Sequence, residues 1–191
     1  MNSSLLETVI TVGGTLIGIY VKDYLDKKNS VKNKDLERDL ETHKIMSATL
    51  DEIRLELGAD KTLYWVFSNG DITFSGFHLK KLSVMEESSV DGFSNVAHSF
   101  QLVPAKNFEK HLLQLNESDE EYITLEVDNM PEELKDLYSL YEVKKVLKIK
   151  VKDSRGKWIG VLSAWYRENI ELSDGQIAFA KIQASKIGSI K

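Results

Sequence analysis

The spacing of apolar and polar positions changes several times along the chain, and each change marks a different element. From Met1 to Val21 the one charged side chain is Glu7. As a helix, residues 5–24 reach about 30 Å, one hydrocarbon core, so the pattern predicts a membrane span over residues 1–24. No Lys or Arg precedes the run and no A-x-A follows it, so it is not a cleaved export signal. Polarity then switches after Val21 to KDYLDKKNSVKNKDLERDLE, within which residues 25–40 form a charged juxtamembrane helical linker. Lys22, Lys27, Lys28, Lys32, Lys34 and Arg38 all follow the apolar run that ends at Val21, and none precedes it. The positive-inside rule therefore puts the carboxy-terminal domain in the cytoplasm, on the inner membrane.

Thr8, Thr11, Thr15 and Gly18 share one stripe of this segment, and Gly14 completes a G-x-x-x-G. Small residues on one stripe let two helices approach closely in lipid, which predicts a homodimer. The same phase continues through Met46, Leu50, Ile53 and Leu57, and predicts a second, aqueous dimer seam there.

From residue 41 the chain reads as one domain. ETHKIMSATLDEIRLELG is an amphipathic helix stopped at Gly58. Two apolar, aromatic-rich runs in ADKTLYWVFSNGDITFSGF are broken at Ser68-Asn69-Gly70-Asp71, which predicts a hairpin turn. A mixed region containing KKLSVMEESSVDG follows, then a helix in AKNFEKHLLQL, a strand in YITLEV, and a helix opened by Pro131. VKKVLKIKVKD and KWIGVLSAWY are strands joined at Ser154-Arg155-Gly156, and Ser173 caps a closing helix. Two hairpins with helices at both ends predict an α+β fold, an antiparallel sheet flanked by helices. Alternation sets Leu63, Trp65 and Phe67 on one sheet face and Tyr64 and Val66 on the other. Both faces are apolar, so both should be covered.

Composition narrows the chemistry. The 191 residues carry a net charge of −5, which gives no general case for nucleic-acid binding. Cysteine is absent, which excludes disulfides, thiolate metal sites and cysteine nucleophiles. His43, His78, His98 and His111 show no zinc spacing, and no P-loop, dinucleotide or G-x-S-x-G motif occurs. Asp119, Glu120 and Glu121 are adjacent and read as a solvated turn. No cofactor, metal or catalytic residue is expected, and the chain reads as non-enzymatic.

The turn EIRLELGADKTLYWVFSNG, followed much later by KIKVKDSRGKWIGVLSAWY and LSDGQIAFAKIQASKIGSI, resembles a GAF domain over residues 41–191. The resemblance implies a GAF/PAS-like antiparallel sheet. First and last helices would pack on one face and often dimerise, and the other face would form a small-molecule pocket. The family's bilin attachment and methionine-sulfoxide reduction use cysteine, which this chain lacks. Its cyclic-nucleotide signature Asn-Lys-Phe-Asp-Glu does not align with NFEKHLLQLNESDEE.

Candidate pocket residues are Tyr64, Ser75, Phe77, His78, Gln101 and Trp165, rings and polar groups on or beside predicted strands. Alternation sends Lys144, Lys148, Lys150 and Lys152 to one face of their strand. That face is either solvated and edge-protecting or a surface for anionic lipid. The expected function is a membrane-anchored cytoplasmic sensor or binding module for a small ligand or a protein partner. The rival is a tether or assembly scaffold with an empty pocket, of phage origin. With no output domain after the last helix, a signal is expected to leave through a partner.

Overall fold

The computed structural model describes residues 35–72 and 78–190. The chain divides into two compact units, Met1–Thr42 and His43–Lys191. In the first, residues 35–42 are helical and Arg38 pairs with Asp35 at 3.7 Å. The predicted span, with Gly14 and Gly18, lies outside the described residues. Among the described residues no helix is long and apolar enough to cross a membrane.

The second unit opens with helix α1, residues 43–57, which ends at Gly58 with φ +61°. A left-handed residue closes a helix with least strain when it has no Cβ. There follow β1 (Lys61–Ile72), β2 (His78–Ser89), β3 (Val103–Pro104), α2 (Glu109–Glu117), β4 (Tyr122–Glu126), α3 (Glu132–Ser139), β5 (Lys145–Lys152), β6 (Trp158–Tyr166) and α4 (Asp174–Ser189). The strands form a six-stranded sheet in the order β3-β2-β1-β6-β5-β4, every neighbouring pair antiparallel. The predicted antiparallel sheet with flanking helices is thus the observed architecture.

Two elements differ from expectation. Ser68-Asn69-Gly70-Asp71 is not the first turn. β1 runs through it, pairing Ser68 with Lys81 and Asn69 with Lys80, with an irregularity in register between Asn69 and Ile72. The Asn-Gly pair sits where the ladder loses register, a place that also favours residues of unusual backbone angle. In consequence KKLSVMEESS, read as part of a mixed region, belongs to the second strand, His78–Ser89. The second hairpin turns where expected, with Gly156 at φ +76° and Asp153 N–H donating to the Lys157 carbonyl. Ser173 caps α4 through a capping box with Gln176.

Each sheet face carries its own core. On one face α1 and α4 bury Met46, Leu50, Ile53, Leu57, Ala180, Ala184 and Ile187 against Tyr64, Leu147, Ile149 and Leu162. Each such large side chain contributes about 1.5–3 kcal/mol. The Met46–Leu50–Ile53–Leu57 stripe is therefore consumed inside one chain, all four residues being at most 3% exposed. It is not an open dimer seam. The periodicity marked the face α1 turns inward, and a heptad-like stripe looks the same whether its partner is a sheet or a second helix.

On the other face Leu63, Trp65, Val146, Val161 and Trp165 pack under α2, α3 and the chain between β2 and α2. This half holds most of the aromatic rings. Trp65 meets Phe100 and Phe108 edge-on, and Trp165 meets Tyr138, with centroids 5.2–5.6 Å apart.

Candidate functional site

Strand alternation on β5 sends Leu147, Ile149 and Val151 toward α1 and α4, and Val146 and Lys148 toward the aromatic half. Lys148 is thereby carried into the interior, only 6% exposed. Its neighbour across the sheet on β6 is the buried Ser163, and on β4 it is Ile123. α2 covers it: His111 Nδ1 lies 3.2 Å from Lys148 Nζ, and the ammonium stands 5.3 Å from the Phe108 ring centroid. His111 is itself 2% exposed. No carboxylate pairs with Lys148 among the described residues. A buried cation without a counter-ion releases its proton easily. Burial alone pulls Lys148 down to about 7. Burial, then the Lys148 charge and the Lys110 charge, hold His111 down to about 3, so the imidazole is neutral at physiological pH.

Two spaces adjoin this pair. A small cavity of about 20 Å³ is lined by Trp65, Leu82, Phe108, Leu112, Lys148 and Val161. That is room for one water-sized occupant, among walls that are apolar except for the lysine. On the far side of His111 a crevice of about 440 Å³ opens between α2, β4 and the start of α3, lined among others by Lys110, Gln114, Thr124, Asn129 and Pro131. His111 thus stands between a polar crevice and a buried amine.

The sequence-predicted site residues scatter. Tyr64 is buried on the opposite sheet face, in the α1–α4 core, and cannot line this site. Burial there raises its phenol to about 12. Trp165 lies on the right face but is 1% exposed, its indole N–H donating to Ser163 Oγ at 3.1 Å, so it is packing. Gln101 Nε2 donates to the carbonyls of Val84 and Ala97 and pins the chain beyond β2. Ser75, Phe77 and the side chain of His78 lie outside what the structure describes.

The lysine face needs correction as well. Lys148 is interior. Lys150 donates to the carbonyls of Asn116 and Ser118, and Lys152 pairs with Glu121, whose carboxyl is held below its usual range chiefly by that contact. Lys144 precedes the strand and is exposed. β5 has β4 on its outer side, so this is no edge strand and its lysines do not form one continuous solvent face. His111 escaped the sequence reading because it sits on a helix, far in sequence from Lys148. Its one available signal was a polar residue on the buried stripe shared with Leu115.

A second buried charge in this half is structural. Lys61 is fully buried at the start of β1, and its Nζ donates to Glu87 Oε2 at 2.8 Å and to the Ser94 carbonyl at 2.7 Å. Glu87 in turn accepts from the Val96 N–H. Every strong partner is satisfied, unlike at Lys148.

No protein-family model matches the sequence, and no relative is found among curated proteins. Solved structures do match. The GAF domain of PixJ from Thermosynechococcus elongatus aligns at TM-score 0.61 and 15% identity, over 80% of this chain and 86% of that one. The GAF domain region of a predicted membrane protein from Geobacter sulfurreducens PCA aligns at TM-score 0.58 and 15% identity, over 81% and 95%. A domain of a predicted two-component sensor histidine kinase protein from Sinorhizobium meliloti 1021 aligns at TM-score 0.56 and 21% identity, over 76% and 88%. The chain has the fold of GAF domains, as the sequence resemblance implied.

Proposed function

We propose that the chain is a GAF-type sensory binding module, non-enzymatic, that holds a small ligand on the aromatic face of its sheet and is anchored in the inner membrane by residues 5–24. The observation that carries the reading is Lys148. A buried lysine with a neutral histidine and no carboxylate is costly to the fold, and such a group is retained where something else meets it. The crevice lined by Lys110, Gln114, Thr124 and Asn129 gives a ligand polar contacts on the way in. The fold supports a sensory role. The uncharged run of residues 8–21 before the juxtamembrane lysines supports the anchor, with the domain cytoplasmic. A homodimer rests on the Gly14–Gly18 stripe, and an output would pass to a protein partner. Nothing favours nucleic acid.

The full chain, purified in detergent and denatured, should release a small molecule detectable by mass spectrometry. A parallel preparation of Lys148→Met should lack it. If the two preparations release the same compounds, the site is not the one that binds. The rival reading, a tether or scaffold with a closed pocket, has its own support in the small cavity and the dense rings around it. It predicts that neither preparation releases anything.

A further inference from the structure

Lys148 differs in kind from four other lysines that are wholly or partly buried. Lys61, Lys145, Lys150 and Lys152 each place their Nζ against a carboxylate or a backbone carbonyl. Such partners favour the protonated, unreactive form. Lys148 instead faces an imidazole nitrogen, an aromatic ring and a cavity with apolar walls. An amine N–H donated to His111 Nδ1 fixes the ring proton on Nε2 and leaves Nδ1 as an acceptor. A lysine desolvated in this way is an activated nitrogen nucleophile. The water-sized cavity beside Nζ is where a reacting atom could sit.

We propose that Lys148 is a carbonyl-capturing amine, and that the ligand class of this site is a small aldehyde or ketone held as a reversible imine. The inference rests on the binding site proposed above being real and names its chemistry. In the addition step the Nζ lone pair attacks the carbonyl carbon, an N–C bond forms, and the carbonyl π pair moves to oxygen. The excess proton on nitrogen passes to that oxygen, with His111 Nδ1 the acceptor within reach to relay it. The carbinolamine then loses its hydroxyl with one further proton as water, leaving the N=C bond. One carbonyl compound is consumed and one water released, with no oxidant or reductant needed. Capture is stoichiometric and reversible, as a sensor requires.

The charged and titratable groups near the Lys148–His111 pair include Glu126 and Lys145, which line the crevice beside His111. On α2 they are His111, which is neutral at pH 7, and Lys110, which raises no like-charge objection to an uncharged amine. On β5 the next residue of the same face is Lys150, turned to the carbonyls that end α2. β6 and β4 present Ser163 and Ile123 opposite Lys148. Burial leaves about half of Lys148 uncharged near pH 7. An ordinary lysine is then uncharged in roughly one molecule per thousand or fewer.

The test uses the full chain in detergent with formaldehyde, the smallest aldehyde, and cyanoborohydride to fix any imine as a methylamine, mapped by peptide mass spectrometry. At pH 7 and short times Lys148 should be modified at least about tenfold faster than the exposed Lys144 and Lys157. That margin is well below the difference in uncharged fraction, which leaves room for restricted access and for the weaker nucleophilicity of a less basic amine. Raising the pH to 10 should erase the advantage, because every lysine then becomes reactive. His111→Leu should slow Lys148 while leaving Lys144 unchanged. If Lys148 is the last lysine modified at pH 7, the proposal is overturned. Should it lag while the detergent-purified chain still releases a molecule absent from Lys148→Met, the binding site stands and only the carbonyl chemistry fails.

Discussion

A lysine whose ammonium is buried without a counter-ion couples the fold to pH in a definite direction. Its unfolded value is about 10.5 and its folded value about 7, so between those limits the unfolded chain binds the extra proton. Stability should therefore rise with pH across that window, by about 1.4 kcal/mol per unit from this one group. His111 adds a rise of the same sign at lower pH, between about 3 and 6.5. Lys148→Met removes the alkaline rise and should equal or exceed the wild type in stability at pH 7. Urea unfolding of both proteins at pH 7, 8 and 9 checks this: a constant gap between them would mean that Lys148 keeps its proton. Lys61 behaves in the opposite way. Lys61→Met strands Glu87 in the interior and should cost about 3–5 kcal/mol, measured by the same unfolding experiment. Gln183, 2% exposed on α4 with Oε1 unpartnered, gives a third case. Gln183→Met keeps the shape and drops the unpaired polar atom, so it should be neutral or stabilising by about 1 kcal/mol.

At the scale of elements, the close approach of α4 to β5 depends on one missing methyl group. A Cβ on Gly188 would overlap the Lys152 carbonyl oxygen, which is backbone and cannot step aside. Gly188→Ala should push the end of α4 off the sheet and cost about 3 kcal/mol, the upper part of the range for overpacking. An unchanged thermal midpoint would show that the helix end was not seated there. Ser173→Ala, which removes one half of the capping box, should cost about 1 kcal/mol. The Ser173 cap was visible in the sequence because its chemistry is local, and the structure adds Gln176 as the other half of the box. The second hairpin was visible for the same reason. The first was misplaced because Asn69-Gly70 carries a turn signal that register with β2 overrides, and pairing across the sheet cannot be read from neighbours alone. The Met46–Leu57 stripe was legible as a buried face, but what covers it was not, since α4 lies more than a hundred residues away. The same limit hid His111 from Lys148. The lysine alternation on β5 was right in phase and wrong in consequence, because which face is solvent depends on where α2 packs.

For the whole molecule, the position of these lysines bears on how the chain would meet a membrane. Two routes were open in the sequence: insertion of residues 5–24, and electrostatic adhesion of a lysine-rich strand to anionic head groups. The second loses its basis, because Lys148 is interior, Lys150 is turned to α2 carbonyls and Lys152 is ion-paired. The membrane association we propose then falls to the apolar segment, whose insertion depends on transfer of side chains into hydrocarbon and hardly on ionic strength. Salt separates the two routes, since at 1 M the Debye length falls to about 3 Å and adhesion through exposed charge is lost. The full chain should remain with the membrane pellet in 1 M salt and at alkaline pH, and leave it only in detergent. Deleting residues 1–24 should send the rest to the supernatant at low salt. Release of the full chain by salt alone would overturn the span and point instead to the charged linker, with Lys27, Lys28, Lys32 and Lys34, as the anchoring surface. Retention in salt would leave GAF-fold and anchor with separate physical bases, one built from two sheet faces and the other from a single stretch of twenty residues.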